Sequence, residues 1–303
     1  MRVAVLGGTG LIGRRLTAAL RARGDEVTVI SRGGGAPAGG RPLPWDPAAG
    51  PFPAGELDGL DAAVNLAGEP VLGRPWTPEV RAAIRESRLR ATNGLVAAMA
   101  AAADGPRTLV SASAVGYYGS RPDPVDEAAP RGSSFLAGVC ADWEQAARGA
   151  EGLGARVVLA RIGAVLAREG GALPLAAAAT LAFLGGPLGD GLQWIAWVGA
   201  GDVVGLLLHA LDDPAISGPL NVAAPAPVRQ WELAAALGLL LMRPAVAPIP
   251  APLVRLAAGG MADLLLASHR VVPARALAAG YRFRHPTLLP ALRAELAGAP
   301  ALA

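Results

Sequence analysis

Residues 2–13 read Arg2-Val3-Ala4-Val5-Leu6-Gly7-Gly8-Thr9-Gly10-Leu11-Ile12-Gly13, and this stretch decides the fold. The apolar run before Gly7 has the length and β-branching of a buried strand. Arg14 to Arg23 carries Leu16, Ala19 and Leu20 at helical spacing, and Gly24 ends that helix. Between them each glycine has a mechanical task. Gly7 permits the tight turn out of the strand, Gly10 lets the backbone approach a pyrophosphate, and Gly13 lets the helix pack close to the sheet. The free N–H groups at the helix start, around Leu11 and Ile12, then point at the phosphates, with Thr9 in the same loop. A bare glycine turn is the alternative reading. The strand directly before, the helix directly after and a second strand at Glu26-Val27-Thr28-Val29-Ile30 favour a dinucleotide-binding βαβ unit.

The end of the second strand selects the cofactor. An acidic residue there would take the adenosine ribose 2′-OH and favour NAD. The chain has Ser31-Arg32 instead. A guanidinium beside a hydroxyl suits a 2′-phosphate, so NADP is expected. A solvated loop arginine is the alternative.

With 303 residues and a hydrophobic fraction of 52%, the chain can bury a real core in one large or two modest domains. Net charge is only +3, and every basic residue is arginine. No basic cluster is interleaved with aromatics, so nucleic acid is not expected as a partner. The single Cys140 excludes an intrachain disulfide and fits a reducing compartment. The first strand begins at residue 2, leaving no room for a signal peptide, and a cytoplasmic location is expected. Gly170 to Gly189 is uncharged and approaches membrane-span length, but Pro174, Gly185, Gly186 and Pro187 break it. It reads as a buried helix with a glycine-rich exit, not a membrane anchor. His209, His269 and His285 lack metal-ligand spacing, so no metal is expected.

Gly33 to Pro53 reads as loop, interrupted by Leu43-Pro44-Trp45-Asp46. Asp61 to Gly68 reads as a strand with a small-residue turn, Arg81 to Ala102 as a helix, and Arg107 to Ser111 as a strand with an exit loop to Gly119. Ser133 to Gly149 is helical, and Ala155 to Ile162 is another buried strand. This order predicts an α/β fold with a doubly wound parallel sheet. Ligands bind beyond the carboxyl ends of such strands. That rule gathers Gly7–Gly13, Ser31-Arg32, Leu66-Ala67-Gly68, Ser111–Tyr118 and Arg161 around one crevice. The sequence divides into a nucleotide domain over residues 1–168, with a returning segment near 198–225, and a smaller, mostly helical substrate lobe over 169–303.

Further segments carry a resemblance. They are Asn65-Leu66-Ala67-Gly68-Glu69, Ser87-Arg88-x-x-x-Thr92, Ser111-Ala112-Ser113-Ala114-Val115-Gly116-Tyr117-Tyr118-Gly119 and Val139-Cys140-x-Asp142-Trp143-Glu144. Gly185-Gly186-Pro187-Leu188-Gly189 and Arg270-Val271-Val272-Pro273 complete the set. With Gly7–Gly13 and Ser31-Arg32, they make the chain similar to extended short-chain dehydrogenases/reductases over nearly its whole length. More narrowly, it resembles the atypical epimerase-family branch with a C-terminal domain of unknown function. The resemblance implies a Rossmann-type fold, NADP(H) and a small-molecule substrate, with a homodimer as one arrangement the chain could take.

The departure is as informative. That superfamily typically uses a Tyr-x-x-x-Lys pair, in which Lys lowers the Tyr pKa and holds the nicotinamide ribose. This chain contains no lysine. Aligning Trp143-Glu144 puts Leu136 at the usual Tyr position and Cys140 at the usual Lys position. The resemblance makes Ser113 the hydroxyl that orients a substrate oxygen, with Ser111 as the strand-end alternative. Either could instead cap loop backbone. Tyr117 or Tyr118 could donate a proton or simply pack. Cys140 reads as a core residue rather than a nucleophile. Asp126-Glu127 could reach the crevice or cap a turn. Arg88 could touch a phosphate or lie on the helix surface. Arg161 would contact ligand or form an internal ion pair, because an unpaired charge there is costly. Two functions stay open: an NADP-dependent oxidoreductase or epimerase, and a non-catalytic dinucleotide-sensing regulator.

Overall fold

The computed structural model describes residues 1–297. Its centre is a sheet of seven parallel strands: β1 (Arg2–Leu6), β2 (Glu26–Ser31), β3 (Arg41–Pro44), β4 (Ala62–Asn65), β5 (Thr108–Ala114), β6 (Arg156–Ile162) and β7 (Gly218–Val222). Their spatial order is β7-β6-β5-β4-β1-β2-β3. The order reverses beside β1, which pairs with β2 on one side and β4 on the other. The crevice beyond that reversal is where ligands bind in open α/β sheets.

The helices include α1 (Leu11–Ala22), α2 (Pro78–Ala101), α3 (Phe135–Arg148), α4 (Ala172–Leu181), α5 (Ala200–Asp212), α6 (Gln230–Leu241) and α7 (Ala251–Ala258), with further ones at Ala262–Leu265, Ala274–Ala278 and Leu288–Leu296. Strand alternation divides the core between two faces. Val3, Val5, Val27, Val29 and Val64 pack with Leu16 and Leu20 of α1 and Val203 and Leu207 of α5. Ala4, Leu6, Ile30, Ala63 and Leu109 pack on the other side with Ala91 and Leu95 of α2 and Ala147 of α3. Continuous burial of both faces explains why β1, β2 and β6 read as unbroken apolar runs.

Two features differ from the sequence reading. Arg41–Pro44, in a stretch read as loop interrupted at Leu43 to Asp46, is a strand paired in parallel with Thr28–Ser31. It lies at the sheet edge, where Pro42 and Pro44 need no second ladder partner. The segment after Gly170 forms α4, but that helix is not fully buried. Leu173 and Thr180 face inward, whereas Leu175, Phe183 and Leu184 on and after it are more than half exposed. Among the described residues no helix is long and apolar enough to cross a membrane.

The chain beyond residue 163 builds a second layer. Leu166, Leu173, Trp197, Leu237, Leu288 and Leu292 form its core. Two short strand pairs lie within it, Ala164–Ala167 with Trp197–Gly199 and Trp194–Ile195 with Val228–Arg229, and a third, His269–Val271 with Arg121–Val125, joins it to the sheet domain. The lobe therefore contains β-ribbons as well as helices, and Gly218–Val222 returns to the main sheet beside β6.

The glycine turn is set by contact. A Cβ at Gly13 would stand 2.3 Å from the Gly7 carbonyl oxygen and 2.6 Å from the Gly8 Cα, both backbone atoms that cannot yield cheaply. A Cβ at Gly138, within α3, would meet nothing within 4 Å. Gly13→Ala is therefore expected to lower stability by about 1–3 kcal/mol in urea unfolding. Gly138→Ala should be neutral or stabilising by up to about 1 kcal/mol. Equal effects would contradict the packing reading of Gly13.

Candidate functional site

The crevice opens at the carboxyl ends of β1, β2, β4, β5 and β6. Its first wall is the turn between β1 and α1. Gly7 has φ +79°, and a Cβ there would lie 2.9 Å from the Leu66 carbonyl carbon. The Gly10 N–H donates to the Gly7 carbonyl at 3.0 Å, closing the turn. α2 and α3 begin with side-chain caps, Thr77 accepting from the Val80 N–H and Ser134 from the Ala137 N–H. α1 begins at Gly10 with no side-chain cap and no acidic residue in its first turn. Its first-turn N–H groups and the positive end of its dipole are left for an external anion. A backbone cradle that excludes any Cβ and lacks its own capping oxygen fits a dinucleotide diphosphate.

At the end of β2, Ser31 is buried and its hydroxyl donates to the Gly35 carbonyl at 3.3 Å. Arg32 is 71% exposed in its side chain and donates through Nη1 to Glu69 Oε1 at 3.2 Å. Arg74 approaches the other oxygen of Glu69, at 3.5 Å. One carboxylate thus lies between two guanidiniums at the crevice mouth.

The central wall is the turn after β4. The Leu66 N–H donates to the Leu6 carbonyl, and the Ala67 N–H to Asn65 Oδ1. Asn65 Nδ2 donates to Thr92 Oγ1 at 2.8 Å, which also receives the Trp143 indole N–H at 2.9 Å. The Ser111 hydroxyl lies beneath this turn, fully buried, 3.4 Å from Asn65 Nδ2. Gly68 faces Arg88, whose Nη1 donates to the Glu69 and Ile84 carbonyls at 3.1 and 2.8 Å. The Arg88 guanidinium stacks 4.9 Å from the Trp143 ring centroid.

The far wall is a closed polar network. Arg161 is 2% exposed and makes a bidentate pair with Glu144, Nε to Oε1 at 2.8 Å and Nη2 to Oε2 at 2.9 Å. Burial works against the Arg161 charge, but the hydrogen bonds and charge of Glu144 outweigh it and raise its pKa further. Of the two arrangements open to Arg161, this geometry is the internal ion pair. Ser113, 3% exposed, donates to Glu144 Oε1 at 2.7 Å. Arg161 Nη1 donates to the Tyr118 hydroxyl at 2.9 Å, and that hydroxyl donates to Asn221 Oδ1 at 2.7 Å. Glu127 is buried and accepts the backbone N–H groups of Asn221 and Arg275, while Asp126 caps the Ala128 N–H. Tyr117 is half-buried, with its ring centroid 3.5 Å from the Arg161 guanidinium carbon.

Chemistry on this wall is restrained. Burial pushes the Tyr118 phenol up to about 12 and the Cys140 thiol up to about 11. Both stay protonated near neutral pH. In the second layer a cavity of about 850 Å³ is lined by Gln193, Arg229, Arg255, Leu266 and Ser268 among others. Trp194 lies next to it in the chain, its ring flanked by Arg229 at 4.0 Å and Arg270 at 4.5 Å. Trp197 is fully buried and donates to the Ala226 carbonyl.

The structure thus brings Gly7, Thr9, Gly10, Leu11, Ile12, Gly13, Ser31, Arg32, Leu66, Ala67, Gly68 and Arg88 to one crevice. Ser111 and Arg161 support it from beneath. Sequence reasoning gave no role to Glu144, Thr92 or Asn221, whereas Asp126-Glu127, read as reaching the crevice or capping a turn, accept backbone N–H groups. The usable signal was a charge at the end of a buried strand, which needs a carboxylate on a packed neighbour.

Residues 3–223 match the family model "NAD dependent epimerase/dehydratase family", and residues 249–295 match a domain of unknown function, DUF1731. The chain is 43% identical over 292 residues to epimerase family protein Mb2239 of Mycobacterium bovis, covering 96% of each chain. It is 40% identical over 298 residues to human epimerase family protein SDR39U1, covering 97% of this chain and 99% of that one. The crystal structure of human SDR39U1 (isoform 2) with NADPH superposes with a TM-score of 0.88 at 38% identity, covering 99% of this chain and all of that one. The chain belongs to the NAD dependent epimerase/dehydratase family.

Removing one partner of a buried ion pair strands the other charge. Glu144→Leu is therefore expected to lose about 3–5 kcal/mol in chemical denaturation. The double variant Glu144→Leu with Arg161→Met should recover most of that loss. Additive losses in the double variant would show that the pair is not the source of the destabilisation.

Proposed function

We propose that this chain binds NADP(H) across the carboxyl ends of its sheet and acts as an oxidoreductase or epimerase on a small substrate bearing a carbonyl or hydroxyl. The uncapped start of α1, set on a glycine turn that admits no Cβ, carries the reading. The human relative solved with NADPH, similar over the whole chain, supports it. Residues Gly7 to Gly13 would hold the diphosphate, Leu66 to Gly68 the adenosine side, and Ser31 with Arg32 the 2′-phosphate. Arg32 is already drawn to a carboxylate, that of Glu69, and a phosphate dianion is the stronger partner for the same guanidinium.

When bound, the nicotinamide supplies hydride transfer to or from a carbon bearing oxygen. The chain's own part is to position that oxygen. Glu144 holds the Ser113 hydrogen, so Ser113 has lone pairs to offer outward. That polarity suits a substrate hydroxyl, which donates, better than a carbonyl, which accepts. Tyr117, half-buried in the same strand exit, is the candidate proton carrier. The one cysteine, buried and unpaired, suits the cytoplasm.

One observation favours the second reading, a non-catalytic sensor of the dinucleotide. Glu144 is committed to Arg161 and Ser113, and Tyr118 and Cys140 are held protonated, so these groups supply no free base. NADPH oxidation against a panel of small carbonyls, and NADP reduction against the corresponding alcohols, separates the two. Turnover lost in Ser113→Ala supports the enzyme. Tight binding with no turnover on any member supports the sensor.

Cofactor choice is tested by nicotinamide fluorescence. NADPH is expected to bind ahead of NADH. Arg32→Asp should weaken NADPH about ten- to a hundredfold and reverse the order, because it removes a charge-assisted bond and adds a repulsion. Equal binding of the two cofactors by the unaltered protein would remove the role given to Arg32.

A further inference from the structure

In the second layer, three short strands bring two guanidiniums onto one indole. Trp194 stands directly opposite Arg229 in the antiparallel pair Trp194–Ile195 with Val228–Arg229, and Arg270 comes from the strand His269–Val271. The Arg229 guanidinium carbon lies 4.0 Å from the Trp194 ring centroid, and that of Arg270 4.5 Å. Among the described residues neither guanidinium has a carboxylate within ion-pair distance. Glu232 accepts the Arg229 backbone N–H instead, and Arg229 Nη1 donates to the Leu192 carbonyl. Arg270 stacks on the ring with no hydrogen bond from its guanidinium to the described residues. Arg255, on the same cavity, differs, since Asp263 lies 3.3 Å from it. Each stacked cation gains from the indole face, but the two repel each other.

Stacking occupies the flat face of a guanidinium and leaves its N–H edge free. That edge is a two-donor fork matched to a carboxylate or a phosphate. Arg229 lines the cavity of about 850 Å³, and so does Ser268, two residues before Arg270. Much of the remaining wall is apolar, formed by Pro122, Leu192, Pro248, Pro250, Ala251 and Leu266. The uncharged and acidic polar groups on it are already in use. Gln193 Nε2 donates to the Leu188 and Leu265 carbonyls at 3.1 and 3.4 Å. The Ser268 hydroxyl accepts the Trp194 N–H at 3.1 Å, and Asp190 Oδ1 accepts the Leu192 N–H at 2.9 Å. The cavity therefore offers positive forks and hydrocarbon, and little to bind the hydroxyls of a sugar.

We infer that this cavity binds an amphipathic organic anion, with its carboxylate or phosphate head on the Arg229 and Arg270 forks beside Trp194 and its apolar body against the proline and leucine wall. The head supplies the negative charge that the protein leaves out, and the body removes apolar wall from water. None of these residues belongs to the dinucleotide cradle, so the site does not rest on the NADP(H) reading.

The test is calorimetric titration of the full chain at low salt with four probes. Octanoate, octyl phosphate and octanol share one body and differ in the head, whereas glucose 1-phosphate joins an anionic head to a polar body. Octanoate, octyl phosphate or both are expected to bind, and their ratio tells which head the forks prefer. Octanol and glucose 1-phosphate should each bind about tenfold more weakly or not at all. Arg270→Gln removes a charge that makes no hydrogen bond to the described residues. It should weaken the octyl anions about tenfold, leave octanol unchanged, and melt at or above the temperature of the unaltered protein. Octanol binding as tightly as the anions, glucose 1-phosphate binding ahead of them, or no probe binding at millimolar concentration would each overturn the inference. So would undiminished anion binding by Arg270→Gln. A lower melting temperature of that variant without ligand would make Arg270 a structural prop for Trp194 and overturn it as well.

Discussion

The buried pair between Glu144 and Arg161 is the interaction on which the rest of the site depends. It joins α3 to β6 in a region closed to water, where neither charge could stand alone. The pair's further hydrogen bonds then fix its neighbours. Glu144 takes the Ser113 hydrogen, Arg161 takes the Tyr118 oxygen, and Tyr118 reaches Asn221 on β7. Glu127 closes the chain by accepting the Asn221 and Arg275 backbone N–H groups, which ties the C-terminal segment to the sheet. One ion pair therefore sets the orientation of the strand exit and the seat of the second layer.

The two halves of the crevice are electrostatically opposite in design. On the glycine-turn side, donors are left open: the first turn of α1 has no side-chain cap, and among the described residues Arg88 makes no ion pair. On the Ser113 side, donors and acceptors are matched within the protein. The first half gains by taking an anion from outside, whereas the second gains by staying as it is. That division explains how a protein without lysine, and without the Tyr-x-x-x-Lys pair of related dehydrogenases, can keep a complete nucleotide cradle.

Much of this was legible in the sequence where local pattern and global fold agree. The run from Arg2 to Gly13 encodes strand, turn and helix with period and glycine placement together, and β2 and β6 read as continuous apolar strands because both faces are covered. β3 was not legible, since two prolines in four residues argue for loop unless the strand is known to be an edge. α4 read as buried because its sequence is uniformly apolar, although one side of it meets no partner. The partner of Arg161 was not legible either. A carboxylate seventeen residues earlier becomes a neighbour only when α3 has packed on the sheet, and single-sequence pattern carries no such long-range pairing.

The central claim is that the turn after β1, the turn after β4 and the start of α1 form one anion-seeking cradle. Amide hydrogen exchange with and without saturating NADPH tests it most directly. Slowed exchange at Leu11, Ile12 and Gly13 and across Leu66 to Glu69, with β6 unchanged because it is already fully bonded, is the predicted result. Exchange at those amides that is the same with and without ligand would contradict it.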